Sequence, residues 1–232
     1  NDDGVTPDSP LVNTIVRGVI DENDTWTANN VYELDGRVIV SAGVTLTIEP
    51  GTIIKGQNQT GANASAMMIA RGAKINAVGT AEKPIIFTSV LDDIKPGEKS
   101  GSNLTESDKG KWGGVVILGK APISFSGAME AQIEGVPAEE SLGLYGGNIL
   151  DDNSGKLQFV SIRHGGSEIS GGSEINGLTL GGVGSGTFIS DVEIFANLDD
   201  GIELFGGTVN VSNVLVSHQG DDGVDIDQAY TG

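Results

Sequence analysis

The sequence contains no cysteine, only 13 lysine and arginine residues, and two histidines. The lack of cysteine excludes disulfide bonds and thiolate metal sites, and two histidines argue against a zinc or copper centre. With 32 acidic residues the formal net charge is −19. This charge repels nucleic acid and anionic membrane surfaces, so we expect neither as a partner. No apolar run reaches about 18 residues, the length that a membrane-spanning helix requires.

Helical periodicity is almost absent from the chain. Short apolar runs recur instead, among them VTLTI, MMIA, VVILG and IELFGG, and glycines lie between them along the whole sequence. Alternating or continuous hydrophobicity over so few residues is typical of β-strands. The composition therefore predicts an all-β protein with many short strands and tight turns.

An internal repeat specifies the fold. NLDDGIELFGG from Asn197 and QGDDGVDIDQ from Gln219 are related by a shift of 22 along the sequence. NGLTLGG matches the first stretch at a shift of 24, and EPGTIIKG and ARGAKINAVG repeat weakly at 21. Such repeats, each with two or three short strands, are typical of the coils of a parallel β-solenoid, which share one continuous core. A two-layer immunoglobulin-like sandwich is the alternative, but it does not predict a constant register of inward residues.

We predict that residues 31–232 form the solenoid, with coils of about 22 residues, a period within the range of known repeat proteins. Residues 1–30 are interpreted as an N-terminal extension or spacer with a first strand. Two polar segments, residues 91–111 and 127–156, are predicted to be loop excursions from the coils. Insertions of this kind often carry binding, so both are candidate partner surfaces; tolerated surface variation is the alternative.

The repeat stacks acidic residues in neighbouring coils. These residues are Asp199, Asp200, Glu203, Asp221, Asp222, Asp225 and Asp227. Like charges about 5 Å apart repel by roughly 1 kcal/mol per pair in water and by more near a protein surface. Ca²⁺ binds carboxylate and carbonyl oxygens of this kind, so all seven residues are candidate calcium ligands. The alternative is turn chemistry, because Asp-Asp-Gly is also a common solvated turn.

Candidates for catalysis are few. The chain has no GxSxG, HExxH or phosphate-binding loop with its lysine. Basic or titratable side chains on matching coils are Lys156, Arg163, His164 and His218. The repeat places the two histidines at equivalent positions two coils apart, and about 10 Å is too far for a direct hydrogen bond. No catalytic residue is assigned.

Aromatic residues are sparse, at 5% of the chain. A stacking platform for sugars would have to use Trp112, Tyr145 or Tyr230. The alternative, which we favour, is that such rings belong to the core, with Trp112 and Phe205 at its ends.

Several stretches resemble a known family. They are GVTLTIEPGTIIKG, GTAEKPIIFTS, WGGVVILG, INGLTLGGVGSGT, DDGIELFGGTVN and GDDGVDIDQAYTG. Together they are similar to exported right-handed parallel β-helix proteins of Bacteroidota and other Gram-negative bacteria, over residues from about 38 to 232. Many members carry aromatic residues where this chain has Ile202 and Leu204, so the packing there differs.

The resemblance implies a right-handed parallel β-helix that is exported to the cell surface, the outer membrane or the medium. A lipid anchor, where one exists, would lie outside this chain, and the acidic opening NDDG is also explained by an ordinary terminus. The expected function is a non-catalytic scaffold or adhesin that binds a glycan or a surface protein and is stiffened by Ca²⁺. The alternative is a calcium-dependent polysaccharide lyase with Arg163 or Lys156 as its base.

Overall fold

The computed structural model describes residues 12–134, 141–170 and 173–232, and these residues consist almost entirely of strands and loops. The strands are β1 (Val12–Ile20), β2 (Asp24–Trp26), β3 (Asn30–Val40), β4 (Thr45–Ile48), β5 (Ile53–Gly56), β6 (Ala66–Ile69), β7 (Lys74–Val78), β8 (Ile85–Ser89), β9 (Val115–Leu118), β10 (Ala131–Gln132), β11 (Leu144–Tyr145), β12 (Gly155–Arg163), β13 (Glu168–Ser170), β14 (Ser173–Glu174), β15 (Leu178–Gly181), β16 (Phe188–Phe195), β17 (Ile202–Phe205), β18 (Asn210–Ser217) and β19 (Val224–Asp227). Among the described residues, the helices are two 3-10 turns, Gly61–Asn63 and Ser141–Gly143. In the described part of the chain, no helix is long and apolar enough to cross a membrane.

Fifteen of these strands form three parallel faces that wind around one core. Face A contains the first halves of β1 and β3, then β5, β8 and the second halves of β12, β16 and β18. Face B contains the second halves of β1 and β3, then β6, β9, β15, β17 and β19. Face C contains β2, β4, β7 and the first halves of β12, β16 and β18. This arrangement confirms the predicted parallel β-helix and excludes the sandwich.

The strand register confirms the strong repeat and corrects the weak one. Val192 pairs with Val214, a shift of 22, and Leu178 pairs with Ile202, a shift of 24. The match at a shift of 21 is wrong, because it relates β5 on face A to β7 on face C. Coils near the middle of the chain are much longer than the last ones, since insertions separate strands that still pair directly.

Left-handed backbone at the corners turns the chain from one face to the next. His164, Ala196 and His218 directly follow the last three strands of face A and have φ of 60°, 56° and 62°. Their stacking follows from the pairing of β12, β16 and β18 and confirms the predicted equivalence of the two histidines. Residues other than glycine rarely adopt this left-handed conformation. Its recurrence at equivalent positions of three coils therefore shows that the stacked coils share the same corner geometry.

The interior of the solenoid is apolar and follows the alternation of the strands. Ile202 and Leu204 point inward as predicted, with 2% and 3% of their surface exposed. Val224 and Ile226 occupy the next positions in the same register but are 52% and 57% exposed. They lie on the last described strand of face B, where no further described coil covers them.

Two of the outer faces are covered by the predicted excursions. Residues 91–111 cross face A, where Ile94 packs on outward-facing Val31, Ile53 and Ile86. This contact buries Ile94 to 1% exposure, while more than half of the residues in the segment are exposed. The segment is therefore a packed cover that shapes the surface of face A.

Face B carries a second apolar layer on its outer side. The β10–β11 hairpin lies in the predicted excursion 127–156, and a shorter excursion, residues 164–177, contains the β13–β14 hairpin. Their Ile133, Tyr145 and Ile175 pack on Met68 and Val116 of face B. Strands buried on both sides explain the continuous apolar runs MMIA and VVILG.

The N-terminal coil starts earlier than residue 31. β1 pairs along its length with β3, and β2 pairs with β4, so residues 12–30 belong to the solenoid. Residues 1–11 of the predicted extension lie outside the described residues.

Candidate functional site

An acidic corner forms where β16 leads into β17 and β18 leads into β19. We use this name for Asp199, Asp200, Glu203, Asp221 and Asp225. Carboxylate oxygens of Asp199, Asp200 and Asp221 lie within 4.8 Å of one another, and so do those of Asp200, Glu203 and Asp225. Asp200 belongs to both groups and is 8% exposed. Five of the seven predicted residues therefore have carboxylates that lie close together at this corner.

Asp222 and Asp227 take part in turn structure. The Asp222 backbone N–H donates to Oδ1 of Asp200 at 2.9 Å, while its own carboxylate is outside both groups. Asp227 accepts a hydrogen bond from the backbone N–H of Gln228 at 2.7 Å. For these two residues the turn interpretation describes the observed contacts.

Two further acids approach the corner from the outer covers. Glu134 follows β10, and Glu174 ends β14. The charge of Glu174 contributes to raising the pKa of Asp199, and that of Glu134 contributes to raising the pKa of Glu203. Neither residue belongs to the repeat, so the stacking pattern that revealed the other acids contains no signal for them.

The corner favours protonated carboxyl groups. Burial, followed by the charges of Glu134, Asp200 and Asp225, raises the pKa of Glu203 to about 8. Burial also raises the pKa of Asp200 to about 6, against the opposing hydrogen bond from Asp222. The ion pairs of the described chain at Arg17, Arg71, Lys111 and Arg163 all involve other acids. Protonation of a carboxyl group or a bound cation would relieve the repulsion that remains at the corner.

A buried amide adjoins the corner. Asn176 is 1% exposed, and its Nδ2 donates to Oε2 of Glu203 at 2.5 Å. Its Oδ1 is buried and makes no hydrogen bond in the described structure, which costs about 1–3 kcal/mol. Carboxylates beside an unsatisfied amide oxygen are the donor set that a hard cation such as Ca²⁺ prefers. The residues present fit such an ion.

The raised pKa of Glu203 predicts how stability depends on pH without metal. In EDTA, the stability from the Glu203 proton is fully present below about pH 4.5, its ordinary pKa, and is lost as pH rises through about 8. Discounted for solvent screening, this amounts to about 1–2 kcal/mol, or several degrees in the unfolding midpoint. Thermal scans from pH 5 to 9 should show this fall.

The Glu203→Gln variant should flatten that slope, because glutamine has no proton to lose. The exposed residue Glu82 offers a control: Glu82→Gln should leave the slope as it is. A midpoint for the unmodified chain that stays constant or rises over this range would contradict the assignment to Glu203.

Two of the candidate bases, Arg163 and His164, are held by hydrogen bonds, and a third, Lys156, lies on another face. Nε and Nη2 of Arg163 donate to Oε2 of Glu193 at 3.2 and 2.9 Å, and Nη1 donates to the Lys99 carbonyl. Lys156 is exposed on face C. His164 is 3% exposed, and its Nδ1 lies 2.7 Å from the Asp108 carbonyl.

The rings predicted as a sugar platform belong to the packed interior. Trp112 and Tyr145 are 0% and 2% exposed. The hydroxyl of half-buried Tyr230 donates to the Val209 carbonyl at 2.5 Å. A ring that the sequence analysis did not single out, Phe195, is partly exposed and lies edge-on to His164 and His218, with centroid distances of 5.7 and 5.4 Å.

The fold and the corner together define a three-faced parallel β-helix with covered outer faces and a stacked acidic turn. The chain belongs to the family described as the pectate-lyase-like β-helix domain, whose model matches residues 18–232. No curated protein and no solved structure matches the chain.

Proposed function

We propose that this domain is a non-catalytic β-helix scaffold or adhesin that binds a glycan or a surface protein and is stabilised by Ca²⁺ at the acidic corner. The resemblance to exported β-helix proteins and lipoproteins of Bacteroidota supports a location at the cell surface, at the outer membrane or outside the cell. The covers of faces A and B supply the varied outer surface that a partner would contact.

The pairing of Arg163 is the observation that carries the non-catalytic assignment. A lyase needs a base to remove a proton, and an arginine side chain stays protonated in proteins. The Glu193 carboxylate pairs with Arg163 and holds its side chain in place. The other candidate base, Lys156, lies on face C, whereas the acidic corner joins faces A and B.

The acidic corner supports Ca²⁺ as the stabilising ion. Asp199, Asp200, Glu203, Asp221 and Asp225 are proposed to supply carboxylate oxygens, with Asn176 close by. Cation binding requires deprotonated carboxylates, so its effect should increase with pH. Here the ion would hold neighbouring coils together and would take no part in a reaction.

A calcium-dependent polysaccharide lyase is the second candidate. The family description and the acidic corner favour it. Against it stand the paired Arg163 and the net charge of −19, which repels an anionic polysaccharide.

The two functions are separated by an assay on polygalacturonate with millimolar Ca²⁺. A lyase releases unsaturated products that absorb ultraviolet light, and we expect no increase in absorbance above that of a protein-free control. In parallel, a panel of neutral and acidic glycans should reveal binding. Product formation that is lost in Arg163→Ala would overturn the scaffold assignment.

A further inference from the structure

A preformed cavity of about 270 Å³ lies between face A and the cover formed by residues 91–111. Arg163, Glu193 and Phe195 line it from the solenoid, and Asp92 and Leu104 line it from the cover. None of these residues belongs to the acidic corner. Protein pockets for whole drug-sized ligands start at about 300 Å³, so this cavity has room for about one ring-sized group.

Several hydrogen bonds hold the cover in place above the cavity. Lys55 Nζ donates to the carbonyls of Asp92 and Ile94 at 2.7 and 2.9 Å. Nη1 of Arg163 donates to the Lys99 carbonyl at 2.8 Å. His164 Nδ1 contacts the carbonyl of Asp108 at 2.7 Å and must donate there, because a carbonyl oxygen only accepts. A ligand would therefore enter a site whose shape already exists, which lowers the entropy cost of binding.

The lining places donors and acceptors side by side. Arg163 uses part of its five N–H groups on Glu193, Ser161 and Lys99 and retains others. The hydrogen bonds that Glu193 accepts from described residues all end at Oε2, so Oε1 keeps its capacity. A guanidinium beside a carboxylate can bind two neighbouring hydroxyl groups, one as acceptor and one as donor. The ring of Phe195 offers an apolar surface to the C–H groups of the same ligand.

The charge of the lining selects among hydroxylated ligands. Arg163 is neutralised by Glu193, while Asp92 is 3% exposed and fixed by hydrogen bonds from Thr88 Oγ1 and the Ile94 N–H at 2.8 and 3.0 Å. Burial lowers the pKa of His164, so its ring adds no positive charge near neutral pH. The charged side chains of the lining, Asp92, Arg163 and Glu193, therefore sum to about −1, and Lys55, which lies outside the lining, offsets part of this charge. Because Arg163 is already paired with Glu193, the lining offers a carboxylate no unpaired positive charge, and Asp92 repels it.

The geometry points to a binding site for one neutral sugar ring, such as the terminal hexose of a glycan, in this cavity. A uronic acid, the sugar of pectate, is disfavoured by the same lining. The inference rests on the proposed glycan-binding function and specifies where the glycan is bound and which class of sugar is recognised.

Saturation-transfer NMR on the full chain tests the site with glucose, galactose, mannose and galacturonic acid as probes. At least one neutral hexose should bind, and galacturonic acid should bind at least severalfold more weakly. Phe195→Ala should reduce the affinity for the hexose about tenfold or more, and Phe195→Leu retains the packing volume without the ring if the alanine variant unfolds. Phe188→Ala, on a 46% exposed ring of face C, is the matched control and should bind as the unmodified chain does.

The Glu193→Gln variant tests recognition separately from folding, because the relative affinity for charged and neutral sugars would not change if Glu193 only stabilised the fold. The variant removes the carboxylate that neutralises Arg163. The affinity for galacturonic acid should therefore rise relative to that for the neutral sugar. Stronger binding of galacturonic acid than of every neutral hexose by the unmodified chain would overturn the assigned class.

Glycan-panel binding by the variants distinguishes a failure of this cavity from a failure of the proposed scaffold function. Glycan-panel binding that persists unchanged in Phe195→Leu and Glu193→Gln would refute this cavity and leave the scaffold function standing. A chain that binds no member of the panel and no probe would refute both.

Discussion

Millimolar Ca²⁺ should raise the thermal midpoint of the chain at pH 8, relative to the midpoint in EDTA. At a free concentration 100 times its dissociation constant, the ion adds about 2.7 kcal/mol to the folded state. For a protein of this size that amounts to roughly 5–11 °C. The reason is the acidic corner, where five carboxyl groups from neighbouring coils share two overlapping clusters.

Asp200→Asn is the decisive variant, because Asp200 belongs to both clusters. Asparagine keeps an oxygen that accepts the Asp222 N–H, but it removes the charge. In EDTA at pH 8 the variant should therefore be at least as stable as the unmodified chain, since less repulsion remains. In Ca²⁺ the order should reverse, because a ligand has been lost.

Asp222→Asn is the matched control for this experiment. Asp222 lies in the equivalent turn one coil later, is exposed, and contributes no carboxylate to either cluster. It should retain the response to Ca²⁺. An equal midpoint in Ca²⁺ and in EDTA, or an equal loss of response in both variants, would leave only turn chemistry at these residues.

Replacing Trp112 by alanine should destabilise the protein more than any of the other substitutions proposed for it. The side chain is 0% exposed, stacks near-parallel to Phe87 at 6.5 Å, and donates from Nε1 to the Arg163 carbonyl at 2.7 Å. Its ring packs against Gly56 so closely that a Cβ there would lie 2.6 Å from it. Truncation of a buried tryptophan costs about 3–5 kcal/mol, which corresponds to a midpoint lower by about 6–20 °C.

Trp112→Phe separates packing from hydrogen bonding, because phenylalanine fills part of the space but cannot donate to Arg163. Its midpoint should lie between those of the alanine variant and the unmodified chain. Phe125→Ala removes a ring that is 48% exposed and serves as the control. A loss for Trp112→Ala no larger than the loss for this control would contradict a stabilising role of the buried Trp112 side chain.

The sequence predicted the last coils well because nothing interrupts them. Val192 and Val214 lie one coil apart, and the same spacing aligns Asp199 with Asp221. In the middle of the chain, Ile85 pairs with Val160 across a long insertion, so no fixed shift relates the two strands. Periodicity identifies neighbours only where the chain between them keeps a constant length.

The acids of the candidate site that lie on or next to paired strands could be predicted from the sequence. Register alone brings Glu203 beside Asp225, because both are the second residues of paired strands. Glu134 and Glu174 reach the same corner on covering hairpins, and tertiary packing rather than repetition places them there. Likewise, no local sequence pattern distinguishes Phe195, which lines a cavity, from Trp112, which is buried in the core. The exposure of each ring depends on segments that are distant in the sequence.

Because strands pair across long excursions, this fold should tolerate changes in the length of those excursions. The entropy cost of closing a loop grows by only about 0.6 kcal/mol for each doubling of its length. The long connection from Ile85 to Val160 therefore costs only about 1 kcal/mol more to close than one of the short last coils. Foreign segments grafted between β8 and β9 or between β9 and β12 should be tolerated when their ends match, so new recognition surfaces can evolve, or be engineered, while the three faces stay the same.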